Sequence, residues 1–113
     1  MPIFRYADVL LMKADALYRQ NASSAEALTL VNTVRNRSYE PDSPLAALND
    51  QDLLAERGRE MFYEGVRRQD MIRFGVYGNA TEFAPASDPC KTRWPSPTAQ
   101  INVNPNLVQN PCY

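Results

Sequence analysis

The sequence contains no histidine. That removes the commonest general base, the Ser-His-Asp and Cys-His nucleophile systems, and the usual imidazole metal sites. Excess positive charge is also missing. Twelve Lys and Arg stand against 13 Asp and Glu, for a formal net charge of -1. A general nucleic-acid binder needs a basic face to meet the phosphates, so this balance argues against one. No apolar run approaches the roughly 20 residues that cross a bilayer. No basic-then-apolar leader opens the chain, and Met1-Pro2-Ile3-Phe4 enters directly into helical periodicity, as the inside of a larger protein would. What is present suffices for one domain at most: 113 residues, 44% of them hydrophobic, enough apolar surface to form a core.

Proline is unevenly spread. Pro2, Pro41 and Pro44 are the only three in residues 1–75, whereas residues 76–113 hold Pro85, Pro89, Pro95, Pro97, Pro105 and Pro111. Proline lacks the amide N–H and clashes inside a helix. The pattern predicts an all-α body of two helical hairpins over 1–75. A mostly irregular tail over 76–113 must then pack on the helices to be stable. Strand signals are weak, and Trp94–Ile101 is at most a short extended piece confined to an edge.

Four helices are expected in the body. The first covers about Phe4 to Gln20, with Tyr6, Leu10, Ala14 and Leu17 at helical spacing. The second covers about Ser24 to Tyr39, with Ser23 and Glu26 spaced as a capping box and Leu28, Val31, Val34 and Arg35 on one face. The short link between them predicts antiparallel packing. The third starts near Asn49 or Asp50, whose neighbours supply a cap and a negative first turn, and runs to about Glu64. Gly65 breaks it, and Val66 to Phe74 forms the fourth, closed by Gly75 as a left-handed cap. The strict tetratricopeptide pattern is not met.

The stretch from Glu56 to Phe74 is the most informative. It interleaves Arg57, Arg59, Arg67, Arg68 and Arg73 with Glu56, Glu60, Glu64 and Asp70, and contains no lysine. Helical spacing brings Arg57 to Glu60, Glu60 to Glu64 and Asp70 to Arg73. Two readings are open: arginines that clamp an anionic ligand, or charges that pair between neighbouring helices. Alternating signs on helices, carried by a cation whose planar fork grips carboxylate in two places, favour internal pairing. Glu60 and Glu64 could imitate a glycosidase pair, but one helical turn separates them and nothing supplies a facing wall. No catalytic residue, metal site or cofactor is therefore expected.

Four segments resemble the SusD/RagB family. Arg5-Tyr6-Ala7-Asp8-Val9-Leu10-Leu11-Met12-Lys13-Ala14-Asp15-Ala16-Leu17 is similar to one family helix. Ala25-Glu26-Ala27-Leu28 with Val31-Asn32 and Val34-Arg35-Asn36-Arg37 is similar to the next. Glu56-Arg57-Gly58-Arg59-Glu60-Met61-Phe62-Tyr63-Glu64-Gly65, Arg67-Arg68, Asp70-Met71 and Ile72-Arg73-Phe74-Gly75 resemble its signature. Trp94-Pro95-Ser96-Pro97 and Asn102 to Tyr113 resemble its ending. The resemblance implies the C-terminal part of a longer, mainly α-helical lipoprotein with tetratricopeptide-like helix pairs. Such proteins sit on the outer-membrane surface of Bacteroidetes and bind glycans or other nutrients. They act as a lid on a SusC-like TonB-dependent transporter and are not enzymes. A lipid anchor, absent from this sequence, would be the only membrane contact. The motifs matched are fold signatures. Arg57, Glu60, Glu64, Arg67 and Asp70, with Arg73, therefore carry over only as a structural charge network. The alternative to this whole reading is a helical-repeat module that binds another protein.

Two departures from the family ending matter. Cys112 stands where the ending usually has Gly, and Trp94 replaces Phe. A Cys90–Cys112 disulfide would close a loop of about 22 residues and stabilise the tail by about 3 kcal/mol. The oxidising surface location that the resemblance implies permits it; the alternative is two free thiols. Trp94, with Tyr77, Phe83 and Tyr113, could form a platform that stacks on sugar. Its stiff setting between Arg93 and Pro95-Ser96-Pro97 favours the other reading, a plug that anchors the tail in the helical core.

Overall fold

The computed structural model describes residues 4–113. The expectation for Met1, Pro2 and Ile3 lies outside the described residues. The chain is all-α, with no strand among the described residues; Thr81 and Ala84 form an isolated bridge across one turn. Two compact units are present, one ending at Phe74 and the other spanning Gly75–Tyr113.

The first unit holds α1 (Tyr6–Gln20), α2 (Ala25–Asn36), α3 (Asp50–Glu60) and α4 (Arg67–Arg73). Its core is Ala7, Leu11 and Ala14 from α1, Ala27, Val31 and Val34 from α2, and Leu53 from α3. Alanine at three of these positions lets the α1 and α2 backbones approach closely. Fully burying a leucine such as Leu11 or Leu53 is worth about 2 kcal/mol. The link from α2 to α3 is tied down by Asn32. Its Nδ2 donates to the Leu45 carbonyl (3.0 Å), and its Oδ1 accepts from the Leu45 amide (2.8 Å). This clamp holds Leu45 and Leu48 against the core.

The α1 face differs from the hydrophobic reading. Tyr6 is 77% exposed, and the buried stripe is Ala7, Asp8, Leu11, Ala14 and Asp15. Two carboxylates lie in that stripe because each meets an arginine, so counting only apolar residues rotates the face. The cap of α2 also differs. Asn21 Oδ1 accepts from the Ser23 amide (3.0 Å), so the chain turns helical one residue later. Ser24, not Ser23, is the N-cap and accepts from Ala27 (3.2 Å).

Asn49 caps α3 by accepting from the Asp52 amide (2.8 Å). That helix ends at Glu60, four residues before the expected Glu64. The chain then turns through Tyr63 (φ 64°) and Gly65 (φ 79°), both left-handed. Left-handed backbone is cheap for glycine and costs a bulky residue about 1 kcal/mol, so Tyr63 is the strained point of this corner. Gly75 (φ 72°) follows α4 in the same conformation.

The second unit contains a short 3-10 turn (Pro89–Thr92) and α5 (Thr98–Val103). The extended piece expected at Trp94–Ile101 is therefore half helix. Pro97 sits at the N-cap of α5, where no amide donor is needed, so proline there starts a helix rather than forbidding one.

Candidate functional site

Among the described residues of the first unit, three groups of charged residues stand out, apart from an exposed Lys13–Glu26 pair (2.7 Å). In the first, Arg57 lies between helices and is 5% exposed. Its Nε donates to Asp70 Oδ2 (2.8 Å) and its Nη1 to Asp8 Oδ1 (3.0 Å). Asp70 Oδ1 also accepts from Arg73 (3.1 Å); Arg73 reaches Asp15, and Asp15 accepts from Arg19 (2.9 Å). The result is an unbroken alternation, Asp8–Arg57–Asp70–Arg73–Asp15–Arg19, that ties α1 to α3 and α4.

In the second group Arg5 donates to Glu60 (2.8 Å) and pairs with Glu64 (2.7 Å), while Arg37 reaches the other Glu60 oxygen (2.6 Å). Burial pushes the Glu60 carboxyl up, but hydrogen bonds from Arg37 and Arg5 outweigh it and hold Glu60 below its ordinary range. Hydrogen bonds to Glu64 and then Glu60 raise the Arg5 guanidinium further above its usual value. In the third group Glu56 accepts from Arg35 (3.1 Å) and Arg59 (2.5 Å).

Of the residues singled out as a charge network, Arg57, Asp70 and Arg73 lie together, and Glu60 and Glu64 lie together around Arg5. Arg67 joins neither. Among the described residues it makes no ion pair; its Nη1 donates to the Leu54 carbonyl (2.7 Å) across the face of Gly58. Sequence reading missed Arg5, Asp8, Asp15, Arg19, Arg35 and Arg37 as members. The available signal was spacing: Asp8 and Asp15 are seven apart on α1, hence on one face. Glu60 and Glu64 share one cation instead of flanking a gap, so they have no geometry for cleaving a glycosidic bond.

Among the cavities that open on this unit are two of about 680 Å³ each. One lies at the α3–α4 corner and is lined by Ala55, Gly58, Met61, Phe62, Tyr63 and Val66 among others. Phe62 and Tyr63 are 72% and 92% exposed and meet edge to face, centroids 4.7 Å apart. The other borders the ionic chain at Asp15, Arg19, Asp70 and Arg73.

In the second unit Cys90 and Cys112 are joined as a disulfide, with Cα atoms 6.1 Å apart. Asp88 lies beside them, its Oδ1 accepting from the Cys90 amide (2.9 Å). With both sulfurs bonded to each other, this group offers one carboxylate and no thiolate to a metal. Trp94 is 70% exposed. Phe83, on the Thr81–Ala84 turn, is 91% exposed, and Tyr113 lies under Lys91 Nζ, 4.1 Å from the ring centroid. Tyr77 is half-buried.

Comparison with known proteins fits this architecture. The chain is 30% identical to the starch-binding protein SusD of Bacteroides thetaiotaomicron, over 100% of this chain and 21% of that protein. It is 35% identical to the SusD-like protein P38 of Formosa agariphila, over 98% of this chain and 24% of that one. Its fold matches surface glycan-binding protein A from Bacteroides uniformis with a TM-score of 0.73 and 26% identity, covering 96% of this chain and 27% of that chain. The chain thus spans between 21% and 27% of the length of these relatives. The SusD family profile matches residues 1–92, most of the 113, and the chain belongs to that family.

Proposed function

We propose that this chain is the helical C-terminal part of a cell-surface glycan-binding protein that delivers its ligand to a SusC-like TonB-dependent transporter. The observation that carries the reading is the alignment of the whole chain with a relative named for binding starch. A structural neighbour named for surface glycan binding supports it. The role is capture, not catalysis: the carboxylates of the signature stretch are engaged by arginines, so none is poised to move a proton. The proposed location is the outer-membrane surface, with a lipid anchor as the membrane contact; no described helix is long and apolar enough to cross a membrane. Affinity electrophoresis of the full chain through gels containing soluble starch and other polysaccharides tests the binding. Retardation in at least one gel, with co-purification of a TonB-dependent receptor from outer membranes, is expected. Unretarded migration in every gel overturns the reading.

One observation favours a second reading, a helical module that binds protein. Exposed Phe62 and Tyr63 beside an apolar cavity are the kind of patch that marks a protein contact. Replacing both with Ser separates the readings, because it abolishes a protein contact and leaves polysaccharide retardation intact.

A further inference from the structure

The cavity at the α3–α4 corner stands apart from the rest of the unit in its charge. Among the described residues, Arg57, Arg59, Arg67 and Arg68 line it and no acid does. The whole chain carries a net charge of -1, so this positive lining is local. Arg57 is balanced by Asp8 and Asp70. Arg59 is not fully balanced, because it shares the one carboxylate of Glu56 with Arg35. Arg67 is exposed and donates to the Leu54 carbonyl, which brings no countercharge. Glu56 thus leaves one guanidinium over, and Arg67 adds another.

Between these cations the wall is apolar. Met61 is buried in it, and Phe62 and Tyr63, packed edge to face, are exposed. Tyr63 takes a left-handed backbone that a bulky residue adopts only at a cost, and such strain gathers at functional sites. Arginine, methionine, phenylalanine and tyrosine are enriched in the cores of protein interfaces, where lysine, glutamate and aspartate are depleted. The lining holds all four enriched types and none of those three depleted ones. At about 680 Å³ the cavity has room for a few side chains of a partner. A second copy of this chain fits poorly, since a two-fold contact sets arginine against arginine. A sugar acid answers the charge but leaves its hydroxyls without partners against the apolar wall.

We propose that the α3–α4 corner docks a short acidic segment of a partner protein. An aliphatic or aromatic side chain enters the cavity, and flanking carboxylates meet Arg59 and Arg67. The inference rests on the protein-contact reading of Phe62 and Tyr63 and gives it a partner chemistry; the glycan reading stands or falls separately. Fluorescence anisotropy of the full chain tests it with labelled peptides: repeats of Glu-Phe-Asp-Leu, the same with Lys at the acidic positions, and the same with Ser at the apolar positions. The first should bind about tenfold more tightly than either control, and its lead over the lysine peptide should shrink as salt is raised. Replacing Phe62 and Tyr63 with Ser should weaken it about tenfold and Arg67→Ala about threefold, with the helical circular dichroism unchanged. Hydroxyl-radical footprinting should find Tyr63 oxidised in the free chain and protected by the first peptide. Equal binding of the lysine peptide overturns the proposal and leaves a protein contact of other chemistry. Equal binding of the serine peptide overturns it by reducing the corner to a charged patch. No binding of any peptide overturns it together with the protein-contact reading. Tyr63 already protected in the free chain means that a second copy or the rest of the polypeptide covers the corner, and this overturns it too. Protection by polygalacturonate and by no peptide makes the corner an acidic-glycan site and likewise overturns it.

Discussion

The two units solve one problem in opposite ways. In the helices of the first, the main chain satisfies itself, so side chains are free to pair with each other across elements: Arg57 with Asp8 and Asp70, Arg5 with Glu60 and Glu64. In the second, proline removes backbone donors, and side chains are spent on the main chain: Gln109 on Ser96, Asn110 on Trp94, Tyr113 on Arg93. The lesson is that composition decides where polar side chains are committed. A helical unit turns them into interhelical cement, and a proline-rich unit turns them into substitute backbone.

The sharpest break in the comparison is at Arg57. Arg57→Ala strands Asp8, 7% exposed, and leaves Asp70, 3% exposed, with Arg73 alone, and should cost about 3 kcal/mol. Arg57→Lys should recover only part, because one ammonium cannot reach both carboxylates with the geometry of a planar fork. Urea unfolding followed by circular dichroism checks both. A loss below about 1 kcal/mol for Arg57→Ala would mean that the pairs are in effect surface contacts.

The matching break in the second unit is the disulfide. Replacing Cys90 and Cys112 with Ala opens a loop with a sequence separation of 22 and should remove about 3 kcal/mol of local stability. Hydrogen exchange should then speed up in Gly75–Tyr113 and stay unchanged in α1 to α4. Equal acceleration in both would show that the units unfold as one and would dissolve the contrast.

A smaller effect separates the units by pH. Glu60 is held below its ordinary range in the fold, so its contribution is present above the unfolded carboxyl range and is lost as pH falls through its lowered value. Arg5 is raised by the same bonds and keeps its proton throughout acidification, so the loss is carried by the titration of its carboxylate partner. Glu60→Gln should therefore cost about 1–2 kcal/mol at neutral pH, discounted because Arg37 is largely exposed, and should flatten the acid limb of the stability curve. The second unit, held mostly by amide and phenol side chains and a disulfide, should show less change in exchange over the same interval.

How far the sequence foretold all this depends on the range of the interaction. Caps and turns act over a few residues, so the starts of α3 and α4 and the Gly75 turn were legible. The Ser24 cap was missed by one residue because a neighbouring Asn21 side chain competed for the Ser23 amide. The end of α3 was missed because nothing local announces that Tyr63 will take a left-handed backbone. The ionic chain was read as charge pairing from Glu56 to Phe74, but its partners on α1 were not, since Asp8 lies 49 residues from Arg57 and no local period links them. The bond between Gln109 and Ser96 escaped for a further reason: an amide side chain standing in for a missing backbone donor leaves no pattern in the sequence.

Gly58 offers the finest test, because there the two uses of a polar side chain meet. Arg67 in the helical unit behaves like the side chains of the second unit: it caps a main-chain carbonyl, Leu54, instead of pairing with an acid. Its guanidinium fills the space that a side chain at residue 58 would take; a Cβ built there would lie 2.6 Å from Arg67 Nη1. Gly58→Ala gains about 1 kcal/mol of helix propensity within α3. It also displaces a charge-assisted bond worth about 1.5 kcal/mol, so the net change should be a slight loss. In an Arg67→Ala background nothing remains to be displaced, and the same substitution should become stabilising by about 1 kcal/mol. A sign reversal between the two backgrounds, read by urea unfolding, identifies the guanidinium as the reason for glycine at this position. The same sign in both would mean that Arg67 moves aside freely and that its bond to Leu54 carries no weight in the fold.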